Sequence, residues 1–148
     1  MNHVIFATAI TLAYSSIEEL QLEPRGSKEN PTTKPDGTWN PKNLAELVMR
    51  LKSKKIDGSD PTIWTLRGPP TRIERKGRHL GGEKASWSKG RIRDKQVPIV
   101  DALRSASWIR SKITTHRFNE ATSRLTFYDV HNVQMLARRL IMQHLGFW

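Results

Sequence analysis

Arg110 and His116 stand six residues apart in the run Trp108-Ile109-Arg110-Ser111-Lys112-Ile113-Thr114-Thr115-His116, at the end of an otherwise apolar helical pattern. A guanidinium that keeps its proton at any ordinary pH suits a phosphate, and an imidazole titrating near neutral pH can take or return the proton of a ribose hydroxyl. Together they are a candidate RNA-cleaving pair. Spacing alone selects nothing. In a chain this rich in arginine, with 5 histidines, such a pair arises by chance about once. Arg72 with His79, Arg124 with His131, and Arg138 or Arg139 with His144 likewise place four to six residues between an arginine and a histidine. Position has to choose among them.

From Val97 the chain reads VPIVDALRSASWIRSKITTH. Ile99, Leu103, Ala106, Arg110 and Ile113 recur every three or four residues and so line one face of a helix. Arg110 falls on that apolar stripe, where a charge is costly unless it is paired or opens onto an interface. Pro98 fits the first helical turn, and the helix is expected to fray between Thr114 and Phe118. The pair would then sit at a helix end, beside a loop.

The run IRSKITTHRF resembles the helix-ending motif of the HEPN superfamily, in which an arginine, a polar residue and, a few residues on, a histidine form a metal-independent ribonuclease site. Ser111 takes the polar position, which in that family is often Asn, Asp or His. The opening helix, AITLAYSSIEEL, is also similar to the first helix of many HEPN domains. The resemblance covers mainly residues 4–22 and 97–145. It implies an all-α, HEPN-like bundle of about four main helices with a long Pro/Gly-rich basic excursion, and a homodimer in which Arg110 and His116 of both copies face one groove. It further implies catalysis by Arg110 and His116, with Ser111 orienting the pair, Lys112 holding backbone phosphate and Glu18 of the first helix positioning Arg110. Pairing of Glu18 with a base on its own helix is the alternative. No cofactor or metal is implied. A defence or toxin–antitoxin setting, with an antitoxin or other protein partner, belongs to the same expectation.

At 148 residues the chain makes one domain with room for a real core. Its net charge of +11 and pI near 10.5 point to a polyanionic partner, RNA above all, because each lysine or arginine near a phosphate adds a counterion-release contribution. A basic solvated surface is the plain alternative. Absence of cysteine excludes disulfides and thiolate metal sites and fits a reducing compartment, the cytoplasm by default. The apolar run Val4–Tyr14 is too short to span a membrane, which needs about 20 residues. It lacks the basic start of a signal peptide, and Ile17 and Leu20 continue its stripe. Because the sequence opens almost inside this helix, residues upstream of the given start are expected.

Periodicity sets a first helix over about residues 3–22, with Ile5 or Phe6, Ala9 or Ile10, Ala13, Ile17 and Leu20 inward. Residues 23–41, with their prolines and glycines, read as a loop. Asn40 before Pro41 reads as a helix start, with Leu44, Leu47, Val48 and Leu51 inward and a stop near Asp57-Gly58. Residues 58–95 read as a basic insertion or loop-rich segment. Over 65–95 ten Lys or Arg stand against three acids, a net of +7, and Arg67, Arg72, Arg75, Lys76, Arg78, Lys89, Arg91 and Arg93 are the candidate nucleic-acid contacts. Trp64 and Trp87 either stack on unpaired bases or plug the core beneath the loop. A last helix runs from about Tyr128 to Leu145 and ends at Gly146, with Val130, Val133, Leu136, Ala137, Leu140 and Ile141 inward.

Nucleotide-binding, zinc-protease and esterase motifs are absent, and the histidines at 3, 79, 116, 131 and 144 are not accompanied by acids at ligand spacing. Two readings remain. One is a metal-independent endoribonuclease, and the other is a non-catalytic nucleic-acid-binding or protein-interaction module.

Overall fold

The basic segment begins and ends in β-structure. In the computed structural model, which describes residues 3–24, 39–67, 91–114 and 125–148, strand β1 (Pro61–Arg67) pairs antiparallel with β2 (Ile92–Pro98). The register runs from Pro61 opposite Pro98 to Arg67 opposite Ile92. Around this ladder the described residues form α1 (His3–Glu18), α2 (Pro41–Ser53), α3 (Ile99–Thr114) and α4 (Phe127–His144). The all-α expectation is therefore wrong, and the fold is mixed. The stretch 58–95, read as loop-rich from sequence, holds strand over 61–67 and again from 92. The β-branched and aromatic run Thr62-Ile63-Trp64-Thr65 suits a pleated, half-buried surface. Its partner lies some thirty residues on, so no tight-turn signal joins the two.

β1 is held on both edges. On one it meets β2. On the other, Asn132 of α4 accepts from the Thr65 N–H (2.9 Å) and donates to the Thr65 carbonyl (2.8 Å). A buried side-chain amide thus supplies the donor and acceptor that a third strand would have offered, closing the edge. Trp64 and Leu66 lie fully buried on the face turned to the helices. Trp64 is core, so its stacking role is excluded.

The helix ends follow from local chemistry. The Asn40 side chain accepts from the Lys42 N–H (3.0 Å) with Pro41 at the first position, which starts α2 as the sequence indicates. α2 stops at Ser53, ahead of the expected Asp57-Gly58. Lys55 turns left-handed (φ 65°), the Lys55 N–H reaches the Lys52 carbonyl, and the Ile56 N–H reaches the Leu51 carbonyl at 3.0 Å. This is a Schellman ending with lysine in the glycine position. α1 likewise ends earlier than the expected residue 22, because Gln21 turns left-handed (φ 53°) and folds Leu22 into the core. β2 runs through Pro98, so α3 starts at Ile99 and Pro98 closes the strand instead of opening the helix. Gly146 (φ 84°) follows α4.

One hydrophobic cluster draws on every element, including Ile10, Tyr14 and Ile17 of α1, Leu47 and Leu51 of α2, and Val130, Val133, Leu136, Ala137 and Leu140 of α4. α3 is buried on nearly all sides, since Ala102, Ser105, Ala106 and Ser107 are small enough to let neighbours approach. No described helix is long and apolar enough to cross a membrane.

Candidate functional site

Arg110 lies beside the apolar stripe of α3. Ile99, Leu103 and Ala106 are buried as the periodicity indicates, but the apolar stripe continues through Ile109. Arg110 instead leans over the edge of the helix, half-exposed, and its Nη2 lies 2.9 Å from Oε1 of Glu18, the last residue of α1. Its guanidinium carbon stands 5.7 Å from the centre of the Tyr14 ring. Tyr14 and Glu18 are one helical turn apart, so α1 presents an aromatic face and a carboxylate to one cation.

Behind this pair lies a second set of polar groups. The Tyr14 hydroxyl donates to Glu23 Oε2 (2.7 Å), and the Ser107 hydroxyl of α3 donates to Glu23 Oε1. Burial, with the Glu23 carboxylate next in weight, holds the Tyr14 phenol well above its ordinary value. From α2, Arg50 pairs with Glu46 (2.5 Å) and donates to the carbonyls of Gln21 and Glu23, each at 3.2 Å. Tyr14, Glu18, Glu23, Glu46, Arg50 and Arg110 line a cleft of about 520 Å³ between α1, α2 and α3. Three carboxylates (Glu18, Glu23 and Glu46) face two guanidinia (Arg50 and Arg110), so the lining of this cleft is net acidic in a chain of charge +11.

The structure thus brings Arg110 and Glu18 together. Ser111 is exposed on α3, and of Lys112 only the helical backbone is described. His116 lies outside the described residues. Tyr14, Glu23, Glu46, Arg50 and Ser107 were not anticipated. Only Tyr14 carried a sequence signal, its place one turn before Glu18; the others meet through tertiary contacts.

The cationic segment presents different chemistry. Arg67 opposite Ile92 brings the two ends of residues 68–91 to one end of the ladder. Arg91 is exposed, while Arg93 and Lys95 of β2 are half-buried across from Leu66 and Trp64. Thr65 Oγ1 donates to Asp94 Oδ1 (2.8 Å), which ties down an acidic group of the ladder. Arg72, Arg75, Lys76, Arg78, Trp87 and Lys89 lie outside the described residues, and Arg67 is described in its backbone alone.

Of the other Arg/His spacings, His144 lies with Nδ1 3.0 Å from the Lys54 carbonyl, which makes it a packing residue at the end of α4. His131 is exposed on α4, and its spacing partner Arg124 is outside the described residues. Among the described residues no group of three His, Asp or Glu could hold a metal ion. No family model, no curated protein and no solved structure matches this chain.

Proposed function

We propose that the chain binds RNA through the cationic segment carried by β1 and β2. The observation supporting this reading most directly is the ladder register, which joins the two ends of the most basic stretch of the chain at a single edge of the fold. Over residues 65–95 ten cationic side chains face three acids, and one of those acids, Asp94, is already engaged by Thr65. Polyanion binding by such a segment runs on counterion release. If about five cations meet phosphates of a single strand, log Kd changes with log salt at a slope of about 3.5.

The test is fluorescence anisotropy with a labelled single-stranded RNA at several salt concentrations, using the wild type and an Arg72→Glu, Arg75→Glu, Lys76→Glu, Arg78→Glu variant. The expected outcome is a steep salt slope in the wild type and binding lost in the variant, with unchanged circular dichroism. Equal affinity for both proteins would overturn the reading.

Metal-independent RNA cleavage is the second reading, and the Arg110–Glu18 pair at the cleft mouth favours it. In that reaction His116 takes the 2′-hydroxyl proton, the 2′-oxygen bonds to phosphorus, and the P–O5′ bond breaks as the leaving oxygen gains a proton. Arg110 stabilises the charge on the phosphorane oxygens, and the product is a 2′,3′-cyclic phosphate. A second copy of the chain would bring another such pair to the same groove. Cleavage in excess EDTA, lost in both Arg110→Ala and His116→Ala, is the expected result. A folded wild type that binds RNA yet leaves it intact would reduce the function to binding.

A further inference from the structure

Where β1 meets α4 there is a groove of about 370 Å³ whose lining includes Ile63, His131, Met135, Arg138, Arg139 and Trp148, and no acidic residue. We infer that this groove is a binding site for an unpaired nucleobase, stacked on Trp148 with its phosphate at Arg138. The inference rests on the RNA-binding reading above and extends it from charge to base recognition.

Trp148 supplies the stacking platform. The Arg139 guanidinium covers one face of its ring at 4.1 Å from the centroid, yet the residue remains 70% exposed, so the opposite face is open. Arg139 is itself anchored. It donates to the Pro61 carbonyl (3.0 Å) and to Gln143 Oε1 (3.1 Å), and Gln143 in turn donates to Asp60 (2.9 Å). A guanidinium fixed in this way holds the indole plane at little entropic cost and makes its ring a prepared surface. His131, also in the lining, stacks on Phe127 at 6.2 Å between centroids. Ile63 and Met135 are exposed large apolar side chains along the lining. His131, Met135 and Arg138 recur at four- and three-residue spacing on α4, so one helix face offers an aromatic ring, an apolar contact and an exposed cation.

Charge and shape select the occupant. A nucleotide presents a flat π-face beside an anion, and both find partners here, whereas a basic peptide meets no acidic side chain in the lining. The site also lies on the strand that carries the cationic segment. Pro61 and Ile63 line the groove at one end of β1, and Arg67 stands about 20 Å away at the other, so one single strand can reach both.

The experiment compares a labelled 12-nucleotide single-stranded RNA with a blunt RNA duplex of equal length. Both are titrated against the wild type, Trp148→Ala, Trp148→Phe and Arg138→Ala. Trp148→Ala is expected to weaken single-strand binding about tenfold, with Trp148→Phe recovering most of the loss. Duplex affinity should be unchanged, because paired bases do not enter the groove. Single-strand affinity unchanged in Trp148→Ala, or an equal loss for the duplex, would overturn the inference while leaving cationic binding in place. A wild type that binds neither RNA would instead remove the RNA-binding reading itself. Light scattering supplies the remaining arm: a wild-type dimer dispersed by Trp148→Ala, with RNA affinity intact, would assign the groove to a second copy and likewise overturn the inference.

Discussion

Replacing Asn132 with alanine should unfasten the strand that carries the cationic segment. The Asn132 amide is buried and makes two hydrogen bonds to the Thr65 backbone, at 2.9 and 2.8 Å. A typical intramolecular hydrogen bond contributes about 1 kcal/mol net, and each buried group left without a partner costs about 1–3 kcal/mol. With two backbone groups orphaned and some water entry, the loss comes to about 3 kcal/mol. At a typical unfolding entropy per residue, a chain of 148 residues would melt about 10 °C lower. Urea unfolding followed by circular dichroism is the direct assay, and the midpoint should fall without a change in slope. An Asn132→Asp variant adds a sign. Its carboxylate accepts from the Thr65 N–H but repels the Thr65 carbonyl, and burial raises the pKa of the new group. Stability held by the neutral acid is fully present below the ordinary carboxyl range near 4 and is lost as pH rises through the raised folded value. The deficit against wild type should therefore be smaller at pH 4 than at pH 7. An alanine variant within about 1 kcal/mol of wild type, together with an Asp variant indifferent to pH, would refute the amide as the clamp on β1.

Tyr14→Phe removes the hydrogen bond to Glu23 and should cost about 1 kcal/mol at pH 7. Because the folded phenol titrates above its ordinary value of about 10, its contribution is present below that pH and lost above it, so alkaline unfolding monitored at 295 nm should be less steep in the variant. Lys55→Gly should stabilise the chain by about 0.5–1 kcal/mol in thermal or urea unfolding, since glycine enters the left-handed region without steric cost. Arg110→Ala should cost less than about 1 kcal/mol, because its pair with Glu18 is half-exposed, so any loss of RNA cleavage in that variant reports chemistry and not unfolding. Glu18→Gln separates two roles: cleavage falls if Glu18 positions Arg110, and RNA binding at the cleft rises if Glu18 only competes for it.

The helices were legible because each carries its own signal. Asn40 and Pro41 mark the start of α2, Gly146 marks the end of α4, and the spacing of Val130, Val133, Leu136, Ala137 and Leu140 identifies the inner face of α4. The strands were not, because neither half of the ladder means much without the other. Pro61–Arg67 pairs with a segment some thirty residues on, and the charge between them dominates any composition-based reading. Asn132 was equally hidden. A lone asparagine on a helix has no sequence mark that it will meet the edge of a strand 67 residues earlier. The candidate site divides in the same way: the turn of α1 that aligns Tyr14 with Glu18 is local, whereas Glu23, Arg50 and Ser107 join them through packing.

That division bears on which chemistry the chain can perform. An RNA phosphate entering the cleft would face Glu18, Glu23 and Glu46, and at about 6 Å with an effective dielectric of about 40 each repulsion is about 1.4 kcal/mol. Arg50 and Arg110 offset two of the three. Arg110 leaves Glu18 at small cost, since the pair is half-exposed, but its release returns an uncompensated carboxylate to the same cleft. The positive charge needed to hold a phosphate at Arg110 would then have to come from outside the cleft lining, and because the proposed reaction uses His116 as a neutral base, a second copy of the chain is the source that fits it. The Trp148 groove carries no such deficit, as its lining holds two arginines and no acidic side chain, and residues 65–95 keep a net charge of +7. Electrostatics therefore support the proposed binding at the ladder ahead of the proposed cleavage, and a cleavage activity would fall as pH drops and the imidazole that has to accept the 2′-hydroxyl proton becomes charged.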